Sequence, residues 1–335
     1  MFTTELRLTE SNTSNAPLVS AIVVNHNRAR DLETCLPTLL DQSYPNLEII
    51  VADNASTDHS RDVAHALGVR WLPLSTNVGL GPALNKGAAA AGGALLLFLN
   101  NDMRFHPSCV ESMVSVLMED PKIFSVDAIQ YNWGGDKRVH VATRLTKAPR
   151  AETSYAVVPA LHVYQEDCDR PTAVVMSSAA NMLARREMFE ALGGFDERLL
   201  FGYEDIELCW RAWTRGWKTV LAPSAICWHR VGGSSQSKDA ARMAFRGILS
   251  GRLLMATKLM PFKYLIGTWA GFAAGLARDG ACLRHSEVAD RVAVLRAYLA
   301  SLAQLVRERQ EIYWQAGIGP SDQLECLLQL GGNAQ

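Results

Sequence analysis

Apolar residues in the early part of the chain fall into short unbroken runs, each closed by a polar stop. Val19-Ser20-Ala21-Ile22-Val23-Val24 stops at Asn25, Leu47-Glu48-Ile49-Ile50-Val51-Ala52 at Asp53, and Leu95-Leu96-Leu97-Phe98-Leu99 at Asn100-Asn101-Asp102. Runs without strict alternation read as strands buried on both faces of a parallel sheet. A shorter strand over 69–74 leads to Asn77-Val78-Gly79. Between the runs the spacing turns helical. Asp31 opens a helix with an apolar face of Leu32, Leu36, Leu39 and Leu40. Two more helices are predicted over 61–67, capped by Gly68, and over 82–91, closed by Gly92-Gly93.

The order β-α-β-α-β-α-β, with short connections, predicts an α/β domain on a mostly parallel sheet flanked by helices. In such sheets ligands bind beyond the carboxyl ends of the strands. Asn25, Asp53, Asn77 and Asp102 all stand at that edge. Four polar ends in succession point to the lining of a ligand site. A carboxylate at 102 suits a cation, and Asn-Asn-Asp suits equally an Asx turn that caps the strand. Two phosphate cradles are excluded. The first strand ends in Asn25-His26-Asn27-Arg28 instead of a glycine turn, Gly79-Leu80-Gly81 lacks a third glycine, and there is no Walker A sequence.

Pro107 suits the first turn of a helix over 107–118. Residues 125–175 show no clear period and read as a long loop region with Trp133-Gly134-Gly135 and the basic residues Lys137, Arg138, Arg144, Lys147 and Arg150. Such a stretch usually carries function, here by covering the site or shaping a second substrate pocket. Val174-Val175-Met176 is strand-like, and 185–192 is a helix ended by Gly193-Gly194. From Glu204 onward, Ile206, Trp210 and Trp213 recur at helical spacing, so Glu204 and Asp205 occupy a helix N-terminus. Acids there either stabilise the helix start, by about 0.3–1 kcal/mol each, or do chemistry. A strand over 219–221 precedes Ile226-Cys227-Trp228-His229, which runs into Gly232-Gly233.

Toward the C-terminus, 243–277 is apolar but punctuated by Arg246, Arg252, Lys258 and Lys263. It reads either as a peripheral membrane contact or as helix packed on the domain. Val288, Val292, Leu295, Leu299, Leu302 and Val306 form a short heptad seam, for a homodimer contact or for packing on the same chain.

Composition narrows the class. The 335 residues are 48% apolar, enough for one large α/β domain with appended helices. A net charge of -1 argues against nucleic-acid binding. The seven scattered cysteines, with no CxxC pair, suit reduced thiols in a cytoplasmic protein. The first residues, Met-Phe-Thr-Thr-Glu, lack the basic start and apolar core of a signal peptide.

The ordered set Val23-Val24-Asn25-His26-Asn27-Arg28, Asp53-Asn54-Ala55-Ser56-Thr57-Asp58, Asn77-Val78-Gly79 with Asn85 and Gly87, Asn100-Asn101-Asp102, Gly193-Gly194-Phe195-Asp196-Glu197, Tyr203-Glu204-Asp205 and Trp228-His229 resembles the family 2 inverting glycosyltransferases of GT-A fold, in particular their rhamnosyltransferase-like bacterial branch. The resemblance implies a flexible arm over 1–17, a GT-A catalytic domain over 18–235 (nucleotide-binding half 18–105, acceptor half 106–235), and a C-terminal helical region over 236–335. It implies transfer of a sugar from a nucleotide diphosphate, dTDP-L-rhamnose first and a UDP-hexose next, to a glycan or lipid-linked glycan in bacterial cell-surface polysaccharide synthesis. Asn25, Asn27, Arg28, Asp53, Asn77, Gly79, Lys86, Asn100 and Asn101 are then the nucleotide-sugar contacts. Asp102 and His229 would bind a divalent cation, Mn2+ or Mg2+, with the imidazole tilting the choice to Mn2+. Asp205 resembles the general base, with Glu204 beside it. On this view the protein works in the cytoplasm, with contact at the inner face of the membrane as the variant through 243–277.

Three positions depart from the family pattern. Asn100 replaces the first Asp of the DxD motif and removes a charge from the cation site. His26 stands where tyrosine is common, and Ala179-Ala180 where glycine is frequent. Asn100 keeps open a second reading, a degenerate protein that binds nucleotide sugar or glycan without transfer. A nucleotidyltransferase would need a glycine- and basic-rich loop after its first strand, which Asn25-His26-Asn27-Arg28 does not supply.

Overall fold

The computed structural model describes residues 16–147, 155–159, 161–199, 202–230 and 238–330. The predicted arm, apart from its last residues, and Arg150 and Gly232-Gly233 lie outside them. The first part of the fold is β1 (Val19–Asn25), α1 (Ala29–Leu40), β2 (Leu47–Asp53), α2 (Ser60–Ala66), β3 (Arg70–Pro73), α3 (Leu80–Ala90) and β4 (Leu95–Asn100). β3-β2-β1-β4 are parallel, with Asn25 paired to Asp53 at the carboxyl edge. Leu32, Leu36 and Leu39 of α1 are buried, but Leu40 is 52% exposed because it falls past the buried face in the last turn. Gly87 of α3 rests on β1: a Cβ there would stand 2.3 Å from Cγ2 of Ile22, so the close packing of helix on strand depends on its missing side chain.

β5 (Met103–Phe105) and α4 (Cys109–Glu119) follow, the helix starting at Cys109 instead of Pro107. The stretch read as loop is instead largely strand: β6 (Ile123–Asn132), β7 (Arg138–His140), β8 (Ala142–Thr146), β9 (Tyr155–Val158), β10 (Leu161–Glu166) and β11 (Thr172–Val174). β6 escaped the sequence pattern because it buries polar Ser125, Asp127 and Gln130 alongside its apolar residues. Hydrogen-bond partners supplied by distant segments make that burial tolerable.

β12 (Asn181–Arg185), α5 (Arg186–Ala191), α6 (Glu204–Thr214) and β13 (Lys218–His229) complete the part built on the large sheet. β12 enters antiparallel between β4 and β6, and β13 runs parallel to β6. The sheet order is β11-β13-β6-β12-β4-β1-β2-β3, with β5 and β7 pairing at its rim and β8-β10-β9 forming a separate small sheet. The two runs at 219–221 and 226–229 are one strand whose register breaks between Ala222 and Ile226, around Pro223.

α7 (Lys238–Lys258), α8 (Phe262–Ala281), α9 (His285–Ala316) and α10 (Pro320–Gln329) close the chain. Met255, Leu259, Met260, Leu324 and Leu327 share a core cluster with Phe98, Phe195 and Trp210. The seam on α9 sits one step from the predicted one: Arg291, Val294, Tyr298 and Leu305 are buried, whereas Leu299 and Val306 are 53% and 41% exposed. The long helix meets α7, α8 and α6, and so buries a face that a two-stranded heptad does not describe. Among the described residues, no helix is long and apolar enough to cross a membrane.

Candidate active site

The carboxyl edge of β1 and β2 is knit by side chains. The buried Asn25 amide donates to Oδ1 of Asp53 at 3.1 Å and to Oγ of Ser56 at 3.1 Å. Asp53 is itself buried, and its Oδ2 accepts the Ser56 N–H at 2.9 Å. The carboxylate predicted to meet the nucleotide is thus largely engaged by its own turn. Asn27 adopts a left-handed backbone, φ 51°, and its Oδ1 accepts the Thr57 N–H at 2.7 Å. Arg28 lies 3.4 Å from Asp31, which also receives Arg230 at 3.0 Å.

Asn54 is a residue that sequence reasoning passed over. It is buried, donates to the Gly79 carbonyl at 3.0 Å and accepts the Val78 N–H at 2.9 Å. It therefore shapes the loop of Asn77 and Gly79, where Asn77 accepts the Gly79 N–H and Gly79, at φ +89°, opens α3. Lys86 is exposed on α3. Its neighbour Asn85 clamps Phe195 by both backbone groups, at 2.9 Å each, and so holds the Gly193–Glu197 segment against α3.

At the end of β4, Asn100 donates its N–H to the Ala180 carbonyl at 3.2 Å, and the Asn101 amide donates to Oδ1 of Asn25 at 2.7 Å. Asp102 follows in a tight turn into β5. β5 pairs antiparallel with the end of β13, Met103 opposite His229, and the Arg230 N–H donates to the Asp102 carbonyl at 3.0 Å. That pairing sets His229 Nε2 3.3 Å from Asp102 Oδ1. Oδ1 is buried and receives no hydrogen bond among the described residues. The other ring nitrogen of His229 lies 3.0 Å from Oε1 of Gln130.

An orphaned carboxylate oxygen facing an imidazole nitrogen fits a divalent cation. Two ligands about 2.1 Å from one octahedral ion stand about 3 Å apart. No group of three or more His, Cys, Asp or Glu able to hold a metal occurs among the described residues. An ion here would rely on diphosphate oxygens and water for its remaining positions, as Mg2+ in nucleotide sites commonly does.

Glu204 and Asp205 open α6 after Tyr203, a bulky residue held at φ +71°. The Tyr203 ring is wedged against α7, where a Cβ on Gly251 would come within 2.5 Å of it. Its hydroxyl donates to the Ala156 carbonyl of β9 and accepts from Arg252 of α7, so two elements hold the strained residue in place. Glu204 is buried, and its Oε2 has no hydrogen-bond partner among the described residues. Burial, then the Asp205 carboxylate beside it, pushes it well above the usual carboxylate range. Asp205 is more open. Burial raises it too, opposed by the Ile206 N–H, His140 and the Ala179 N–H.

His140 was not anticipated. Its Nε2 meets Oδ2 of buried Asp127 at 2.7 Å. Although burial works against its charge, Asp127 and then Asp205 raise its pKa overall. Ala179 and Ala180 thus link the two halves of the site: one backbone group faces Asp205, the other pairs with Asn100. Of the residues not assigned a role, Asp127, Gln130 and His140 carry no local signal, because each acts through a partner on another strand, whereas Asn54, inside the Asp53–Asp58 motif, acts on the loop of Val78 and Gly79.

A wound, mostly parallel sheet flanked by helices, with further helices appended at the C-terminus, has the GT-A fold of glycosyltransferases. The chain belongs to glycosyl transferase family 2, whose profile matches residues 20–193. It is 24% identical to the N-acetylglucosaminyl-diphospho-decaprenol L-rhamnosyltransferase of Mycobacterium tuberculosis, over 68% of this chain and 80% of that protein. It is 31% identical to the O-antigen biosynthesis protein RfbC of Myxococcus xanthus, over 66% of this chain and 18% of that one. Among solved structures, it shares its fold with a mannosyltransferase from Pyrobaculum calidifontis in complex with GDP-Man and Mn2+, at a TM-score of 0.55 and 17% identity, over 96% of this chain and 89% of that one.

Proposed function

We propose that the chain is a cation-dependent, inverting glycosyltransferase acting in bacterial cell-surface polysaccharide synthesis. Its donor on this reading is dTDP-L-rhamnose, with a UDP-hexose as the next choice, and its acceptor is a hydroxyl of a glycan or lipid-linked glycan. The observation that carries the reading is the orphaned Asp102 Oδ1 facing His229 Nε2 at 3.3 Å. The relative from M. tuberculosis is named for rhamnosyl transfer to N-acetylglucosaminyl-diphospho-decaprenol, and the P. calidifontis structure holds GDP-Man and Mn2+. The first supports a rhamnosyl donor and a lipid-linked acceptor, the second a divalent cation.

In the proposed reaction the acceptor oxygen attacks the anomeric carbon from the face opposite the diphosphate. The bond from that carbon to the diphosphate oxygen breaks, and the hydroxyl proton passes to Asp205. A bound divalent cation would supply Lewis acidity to the leaving diphosphate. Asp205 suits a base because its raised pKa strengthens it while its partial exposure leaves it reachable. Glu204, whose burial favours the neutral carboxyl, limits the second negative charge beside Asp205. Asn25, Asn27, Arg28, Asp53, Asn77, Gly79, Lys86, Asn100 and Asn101 line the donor side on this reading. Phe262 and Ile266, 69% and 57% exposed on α8, would face a membrane carrying a lipid-linked acceptor.

The test is thermal shift with UDP-, dTDP- and GDP-sugars, each with and without Mn2+, followed by proton NMR of the product anomer. A cation-dependent shift with one nucleotide and an inverted product is expected. Donor binding without product over a broad acceptor panel would favour the degenerate binding protein that Asn100 suggests.

A further inference from the structure

Gln130, Asn181 and His229 lie on β6, β12 and β13, three neighbouring strands in the order β13-β6-β12. Their side chains form one directed chain of hydrogen bonds. The Asn181 amide nitrogen donates to the Ala128 carbonyl at 3.1 Å. A carbonyl only accepts, so the Asn181 nitrogen must face it and its oxygen must face the other way. That oxygen receives the Gln130 amide nitrogen at 3.1 Å. Gln130 Oε1 is thereby turned toward His229 Nδ1, 3.0 Å away. An amide oxygen also only accepts, so the ring proton of neutral His229 sits on Nδ1. Nε2 is left as a bare lone pair, aimed at the orphaned Oδ1 of Asp102. Asn181 and Gln130 are almost fully buried, so no water competes to reverse either amide.

We propose that Gln130 and Asn181 are positioning residues that set His229 in the Nδ1–H tautomer and so hold Nε2 ready as a cation ligand. Without them, the opposite tautomer would donate Nε2–H to Asp102 and close the site on itself. The relay prevents that quenched state by a chain whose polarity begins at a backbone carbonyl. A ligand imidazole oriented through its far nitrogen is a general device of metal sites. Here its origin can be followed across two further strands. This inference rests on the cation reading given above, and the experiment separates the two.

Two-dimensional NMR of 15N-histidine protein, metal-free and at a pH where His229 is neutral, reports which ring nitrogen carries the proton. The His229 signals are identified by their loss in His229→Ala. Mn2+ alone is then titrated, free ion being read by electron paramagnetic resonance. The wild type should show the Nδ1–H form and bind Mn2+. Gln130→Leu should lose affinity by about 10–100-fold. Gln130→Glu, which keeps an oxygen toward Nδ1, should bind more tightly than Gln130→Leu. An Nε2–H signal in the wild type, or unchanged Mn2+ affinity in Gln130→Leu, overturns the relay. Nδ1–H in a wild type that binds no Mn2+, either alone or with a nucleoside diphosphate present, overturns the cation reading instead. The wild-type spectrum decides the tautomer even where a variant fails to fold.

Discussion

The Lys258 ammonium at the end of α7 stands 2.7 Å from the Glu207 carboxylate on α6, two residues past Asp205 in the same helix. Lys258 also reaches Asp196 at 2.9 Å and Glu308 at 3.2 Å, while Arg198 and Arg211 pair with the same acids. Three bases and three acids thus fasten the C-terminal helices to the helix that carries the proposed base. Lys258→Met leaves Glu207 and Asp196 buried with one partner fewer. Removing one member of a buried ion pair costs about 3–5 kcal/mol. Urea denaturation should show a loss in that range, together with a fall in turnover as the start of α6 loosens.

The same network sets an acid limit. Burial alone would raise Asp196, Glu207 and Glu308. Arg198 and Lys258 overcome it at Asp196 and Glu308, and Arg211 and Lys258 overcome it at Glu207, so all three fall below their usual values. A carboxylate lowered in the folded state contributes stability above its unfolded value, about 4, and loses it as the pH falls toward the lower folded value. Stability should therefore drop below about pH 4. The gap between wild type and Lys258→Met in urea midpoints should narrow over that interval. A gap unchanged from pH 7 to pH 3 would contradict the assignment.

Asp102→Asn and His229→Ala each remove one arm of the proposed cation pair. Either should abolish the Mn2+-dependent part of the donor thermal shift; Asp102→Asn should leave the melting temperature without ligand close to wild type, whereas His229→Ala should lower it, because buried Gln130 Oε1 loses its partner. Asp102 Oδ1 receives no hydrogen bond among the described residues, so its loss removes no internal bond. A cation-dependent shift that survives both substitutions would move the ion elsewhere.

Asp205→Asn should reduce kcat by roughly 10²–10⁴-fold, the usual contribution of general base catalysis, with donor binding kept. In the wild type, Asp205 must be ionised to accept the proton. Burial raises its pKa, so the rising limb of the pH profile should lie above the ordinary aspartate value of about 3.9. His140→Gln removes a positive neighbour and should move that limb higher still. A limb that stays in place would separate His140 from the base.

The wound half of the fold was legible because its strands are apolar on both faces and its helices are amphipathic. β1, β2 and β4 fall within a residue of where the runs place them. β6 was not legible. Ser125, Asp127 and Gln130 break its apolar run, and their burial makes sense only beside Ser177, His140 and Asn181. The heptad on α9 misled for a related reason. A period marks a face, but the neighbours decide how wide the buried face is, and two helices cover Arg291, Val294 and Tyr298.

By itself the sequence determined which residues stand at the carboxyl ends of β1, β2 and β4, since a strand's polar stop is a local feature. It also determined that Glu204 and Asp205 open a helix. Tertiary structure alone decided which of these groups meet. His229 reaches Asp102 through the pairing of β5 with β13, and Asp205 gains His140 and Ala179 through strands far away in the chain. Local pattern records burial and period, which act over a few residues. Charge pairing and the direction of a hydrogen bond act over about 3 Å in space, a distance that only the folded chain sets.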